Sequence, residues 1–211
     1  ITEGLVGSEM CIRDRFKKFT DQTGIKINVI KGSADQLIER LISEGGNSPA
    51  DILLTVDAGR LHRAKVAGIL QPIESKILSE NIPPSMRDED GYWFGLTVRA
   101  RVLVYSKKRV TPDQLSTYED LANRKWRGKI AVRSSSNIYN QSLMASIIAS
   151  NGSRKALTWA KSIRKNMARA PRGSDRDQAR AVAAGLADVA IMNTYYLSLI
   201  HISEPTRPSV I

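Results

Sequence analysis

The sequence predicts an α/β protein of two lobes. Three observations carry this: helical and strand-like periods alternate through residues 16–68, the alternation repeats through residues 129–192, and a β-rich stretch, Tyr92–Tyr105, lies between them. Phe16–Gly24 reads as the end of an amphipathic helix stopped by a glycine C-cap, and Ile25–Ile30 follows with strand-like alternation. Ser33 then caps a helix through Ser43, on which Leu37, Ile38, Leu41 and Ile42 recur at a spacing of four as one buried stripe. Asp51–Val56 is a short continuous apolar run, the pattern of a parallel strand covered on both faces, and the helix from Asp57 to Ala67 closes at Gly68. Tyr92–Tyr105 is too long for one ordinary strand, and it is read as a connector of paired strands that leaves the first lobe and enters the second. The second lobe has strand Lys129–Arg133, helices over Asn140–Ala149, Ser153–Met167 and Asp175–Ala184, and strand Asp188–Met192, with Gly152, Gly173 and Gly185 as punctuation.

At 42% hydrophobic and 25% charged, the 211 residues have the composition of a globular protein, with length enough for two lobes of about 100 residues each. The net charge of +11 raises the question of nucleic acid. The basic residues, however, stand in ones and twos, as in Lys17-Lys18 and Arg124-Lys125, without the aromatic-interleaved stripe of a nucleic-acid reader, so no nucleic-acid partner is expected. A single cysteine excludes an internal disulfide framework, and no apolar run approaches a membrane span. No signal peptide is legible at the start.

The two ends read differently from the rest. Gly7–Arg15 and Ser198–Pro208 resemble strings that recur at the ends of unrelated environmental sequences, where sequencing adapter is translated as coding DNA. The expected organisation is therefore 1–15 and 198–211 as adapter-derived ends that add nothing to the fold, 16–98 as a partial first lobe and 99–197 as the second. With the ends set aside, Cys11 and His201 disappear and His62 stands alone, without a partner for a metal site. A hydrolase would need a nucleophile and a base, and this segment has one histidine, no cysteine and no Gly-x-Ser-x-Gly elbow. No enzymatic activity is expected.

Three tyrosines stand out by placement: Tyr139, just after Ser134-Ser-Ser-Asn137, and the pair Tyr195-Tyr196, just after the strand ending Met192-Asn193. All follow the carboxyl end of a predicted strand, the edge where open α/β sheets present ligand sites. In a strand the pair would point to opposite faces, but a helical turn after Asn193 would aim both at one centre. Phenolate is a hard oxygen ligand with a pKa near 10, so only a strongly acidic cation such as ferric iron deprotonates it near neutrality. Taken as residues alone, the three fit an interface or core role with their hydroxyls satisfied better than a metal site.

Ala50–Asp57, Trp93–Arg101, Ser116–Ala122, Trp126–Ile130, Arg133-Ser-Ser-Ser-Asn-Ile-Tyr-Asn-Gln-Ser142 and Asn193-Thr-Tyr-Tyr196 resemble the ferric-iron-binding proteins of bacterial ABC transporters, most closely a tyrosine-rich cyanobacterial subgroup. The resemblance covers Phe16–Tyr196. It implies a type II periplasmic-binding-protein fold, here incomplete at both ends, whose two lobes close on Fe(III). It implies Tyr139, Tyr195 and Tyr196 as metal ligands, and a further tyrosine from a strand upstream of Phe16 that has no counterpart. Arg99 matches an arginine near the metal, where a cation offsets phenolate charge or holds an accompanying synergistic anion. Ser134, Ser135, Ser136 and Asn137 can hold an anion or cap the following helix, and Asp57 can contribute to the same surroundings or cap its own helix. The implied function is periplasmic capture of Fe(III) by a monomer and delivery to an inner-membrane ABC permease. A receptor for a small anion on the same fold is the alternative.

Overall fold

The structure, a computed structural model, describes the backbone of residues 6–196 and 209–210 and the side chains of residues 14–196. The chain divides into two units, Ile1–Leu96 and Thr97–Ile211.

In the first unit the helices follow their capping signals. Helix α1 spans Val6–Thr23 and ends where Gly24, at φ 71°, takes the left-handed conformation that a side chain would disfavour. Helix α2, Ala34–Glu44, starts from a capping box between Ser33 and Gln36, and it buries Ile38 while leaving Ile42 on the surface. Asp57 caps α3, Ala58–Val66, by accepting from the Gly59 N–H at 2.9 Å. Helix α4, Lys76–Asn81, is capped by Ser75, and the chain after it folds back so that the Gly95 N–H donates to the Met86 carbonyl at 2.8 Å. Lys65 reaches Asp88 and Asp90, both at 2.8 Å, with its ammonium 4.8 Å from the centre of the Tyr92 ring.

Three expectations are corrected here. Ile25–Ile30 and Asp51–Val56 form no strand, and instead of a covered run Ile52 is 84% exposed. Alternation records that residues suit a pleated surface, but a strand also needs a neighbour about 4.8 Å away to satisfy its backbone, and among the described residues none runs beside these segments. The connector is not a ladder of paired strands either. Only Arg101–Tyr105 is a strand, Phe94 makes an isolated bridge to Arg87, and residues 95–100 are irregular, with Leu96 and Val98 exposed.

The second unit is built on a four-stranded sheet of order β2-β3-β1-β4, formed by β1 (Arg101–Tyr105), β2 (Ile130–Ala131), β3 (Val189–Asn193) and β4 (Ser209–Val210). All five residues of β3 are buried, as an interior strand requires. It runs antiparallel to β1, with Arg101 opposite Asn193, and parallel to β2. Helices α5 (Ile138–Asn151) and α6 (Ser153–Asn166) pack a core of Leu115, Leu121, Trp126, Ile147 and Ile163 with Val189 and Ile191 of β3. Helix α7 (Asp175–Ala183) closes the other side through Ala181 and Val182. At its start Gly173 has no room for a Cβ, which would lie 2.6 Å from the Asp177 carboxylate that accepts from the Ser174 N–H.

Residues 6–15 are helical and continuous with Phe16–Thr23, and Ser209–Val210 pair with Val104 and Tyr105 at the sheet edge. Removing residues 1–15 and 198–211 is expected to lower the thermal midpoint by less than about 4 °C, a change on the order of 1 kcal/mol for a chain of this size. A larger fall in a calorimetric scan would show that the terminal segments are part of the packed structure.

Candidate metal centre

β2 and β3 are parallel neighbours, so the segments that follow them leave the same edge of the sheet. The segment after β2 is the serine turn, ending at Asn137, which caps α5 by accepting from the Tyr139 N–H at 3.1 Å. The segment after β3 is one 3-10 turn, Thr194–Tyr196. That turn keeps the Tyr195 and Tyr196 rings together, with centroids 4.2 Å apart, where an extended chain would have separated them.

The side chain of Tyr195 is hydrogen-bonded to those of Tyr139 and Tyr196, which links the three tyrosines. Tyr139 and Tyr195 are half-buried, and Tyr196 is 5% exposed. Burial, more than any neighbour, raises the Tyr139 phenol to about 12; its hydrogen bond with Tyr195 adds to the rise and Arg99 opposes it. Burial also raises Tyr195, with its hydrogen bond to Tyr196 contributing. Both are therefore neutral phenols near pH 7 until a strong cation displaces their protons.

Guanidinium groups surround these tyrosines. Arg99 donates to the Tyr139 hydroxyl at 3.2 Å and lies 4.9 Å from the centre of the Tyr195 ring. Arg101 and Arg133 each stand 5.8 Å from the Tyr139 ring, and Arg176 stands 5.8 Å from that of Tyr196. The nearby Asp175 carboxylate is fully buried and paired with Arg101 at 2.7 Å and Arg133 at 3.5 Å. Among the described residues no group of three or more His, Cys, Asp and Glu side chains is arranged to hold a metal ion. The donor set is thus phenol oxygen in a cationic setting, which suits a hard trivalent ion that ionises its ligands and disfavours a softer divalent ion that seeks imidazole or thiolate.

The remaining sequence candidates divide. Ser134 and Ser136 hydrogen-bond to each other at 2.8 Å, Ser135 is exposed, and Asn137 is occupied as the cap. Asp57 lies in the first unit as the cap of α3, and His62 is exposed on that helix. Sequence reasoning missed Arg101, Arg133, Asp175 and Arg176. The single available signal was Arg101 at two residues from Arg99, a spacing that places both on one face of an extended chain.

The model of the bacterial extracellular solute-binding proteins matches residues 47–208. The chain belongs to this family. Within it, the chain is 52% identical over 196 residues to iron uptake protein A1 of Synechocystis sp., covering 92% of this chain and 54% of that protein. Among solved structures, the Trichodesmium protein IdiA (FutA) in complex with iron and citrate ligands superposes with a TM-score of 0.90 at 50% identity, covering 94% of this chain and 65% of that one. The ferric binding protein from Campylobacter jejuni superposes with a TM-score of 0.88 at 41% identity, covering 99% and 67%. The chain spans about half the length of the curated relatives it matches. The expected α/β class and the resemblance to ferric-binding solute receptors both agree with these findings.

Proposed function

We propose that this chain carries the tyrosine half of a ferric-iron receptor, in which Tyr139, Tyr195 and Tyr196 ligate Fe(III) as phenolates. The observation that carries the reading is the set of three tyrosines linked by hydrogen bonds through Tyr195, with Arg99, Arg101, Arg133 and Arg176 around them. The arginines stabilise the negative charge that appears when the phenols ionise, and Arg99 is placed to hold a small anion that completes the metal's coordination. Citrate is a reasonable choice for that anion, since the Trichodesmium relative holds iron with citrate ligands. The chemistry is reversible ligation with no substrate turned over.

Support for the setting comes from relatives named as the Fe(3+)-binding periplasmic protein of Serratia marcescens and the major ferric iron-binding protein of Neisseria meningitidis. The complete protein is proposed to work in the periplasm as a monomer and to pass iron to the permease of an ABC importer. Adding ferric citrate to the purified chain is expected to produce a visible tyrosinate-to-iron charge-transfer band. A chain that stays colourless while dialysis shows no bound iron would remove the reading.

A second reading has its own support. The arginine-rich surroundings and the serine turn also suit a small anion such as phosphate or a carboxylate without metal. A chain that stays colourless with ferric citrate yet gives heat with citrate or phosphate in metal-free buffer would take this second reading, whereas a charge-transfer band with ferric citrate supports the first.

A further inference from the structure

We infer that Arg101 is the positioning residue that fixes the two tyrosine-bearing turns relative to each other; the metal arm of its test rests on the ferric reading above. Arg101 is the first residue of β1, and its side chain is 9% exposed. One of its terminal nitrogens donates to Asp175 at 2.7 Å and to the Asn193 side chain at 3.0 Å. The other donates to the Asn140 side-chain oxygen at 2.7 Å and to the Ile191 carbonyl at 3.4 Å.

Each of the two asparagines belongs to a segment that carries a tyrosine. Asn140 follows Tyr139 directly, and its own amide donates to the carbonyls of Arg133 at 2.8 Å and Ser134 at 3.3 Å, so it holds the serine turn as well as the start of α5. Asn193 is two residues before Tyr195, and its backbone N–H donates to Asp175 at 2.9 Å. The planar fork of one guanidinium therefore spans the Tyr139 segment and the Tyr195-Tyr196 segment at once, with buried Asp175 fixing the plane of the fork. A lysine at this position would keep the positive charge beside Asp175 but could not present a rigid fork to both asparagines.

The Tyr118 hydroxyl donates to the Arg101 carbonyl at 2.6 Å, which anchors the base of the side chain to the core. Nothing in this arrangement requires Arg101 to touch the metal. Its effect is on where the phenol oxygens stand, and a ligand displaced by about 1 Å is enough to degrade a site built on rigid elements.

The test compares R101K, R101Q and R109Q in the full chain. Arg109 is the control, because it makes a similar cross-link, to Asp188 at 2.6 Å and to the carbonyls of Val182 and Ala187, away from the tyrosines. In metal-free protein, amide hydrogen exchange is expected to speed up at least tenfold in both 134–140 and 193–196 for R101K and R101Q, and in neither segment for R109Q. With ferric citrate, R101K and R101Q should shift the charge-transfer band and weaken binding at least tenfold, with R109Q matching the unsubstituted chain. R101K keeps the buried pair charged and so decides the matter if R101Q does not fold. Unchanged exchange in either segment for R101K, or equal acceleration in R109Q, would overturn the positioning role whether or not the chain binds iron. A colourless unsubstituted chain whose R101K variant still loosens both segments would instead retain the positioning role and reject the ferric reading.

Discussion

Replacing Tyr195 and Tyr196 together by phenylalanine should abolish the charge-transfer band and lower ferric affinity by more than about a hundredfold. Outer partners of metal ligands already cost roughly 10–100-fold when removed, and here two direct donors are lost. Phenylalanine keeps the rings, so the 4.2 Å contact between them and the packing of Tyr196 against Val104, Ala179 and Met192 have every reason to persist. The far-ultraviolet circular dichroism of the variant should therefore match that of the parent. The single Tyr195→Phe change should weaken and shift the band, since Tyr139 would lose a hydrogen-bonding partner as well as its neighbouring ligand. Retention of the full band in the double variant would place the iron elsewhere.

The second large effect is on pH. In the metal-free protein the Tyr139 phenol, raised to about 12, and the raised Tyr195 phenol both hold their protons at neutrality. Iron must displace one proton from each phenol that ligates it as phenolate, three in the proposed set, and each proton released makes the apparent affinity fall about tenfold for every unit by which pH is lowered. Competition against a chelator of known protonation should thus show a fall of about a thousandfold per pH unit below neutrality. A slope near zero would mean that the metal is held by groups already ionised, and the phenolate reading would fail. The metal-free fold has the opposite dependence. A raised tyrosine pKa stabilises the folded chain below the ordinary value near 10, and this contribution is lost as pH rises through the folded value near 12.

Much of the second unit is legible in the sequence because its signals are local. Asn137, read as able to cap the following helix, does cap α5; α7 lies within the expected Asp175–Ala184; and Val189–Asn193 is the strand expected at Asp188–Met192. The placement of the three tyrosines after strand ends follows from the same reading, since the turn after Asn193 is what brings the rings of Tyr195 and Tyr196 together. What fails is pairing. The residues of Ile25–Ile30 and Asp51–Val56 have strand periodicity, but periodicity does not reveal whether a neighbouring strand is present. The Arg101 network was equally hidden, because its partners Asn140, Asp175 and Asn193 lie 39, 74 and 92 residues away and no short motif links them.

Tyr196 bears on how such a site can change over evolutionary time or under design. It is 5% exposed and packed with Val104, Ala179 and Met192, so the ring proposed to offer an oxygen to the metal also fills space between β1, β3 and α7. A glutamate or histidine there would supply a donor atom but leave a void or a buried charge, either of which costs on the order of several kcal/mol. Tyr139 and Tyr195, being half-buried, carry less of that double duty. Attempts to retune the metal preference should therefore tolerate exchange of ligand type at those two positions, whereas at Tyr196 the available replacements narrow to residues that can keep the interior filled.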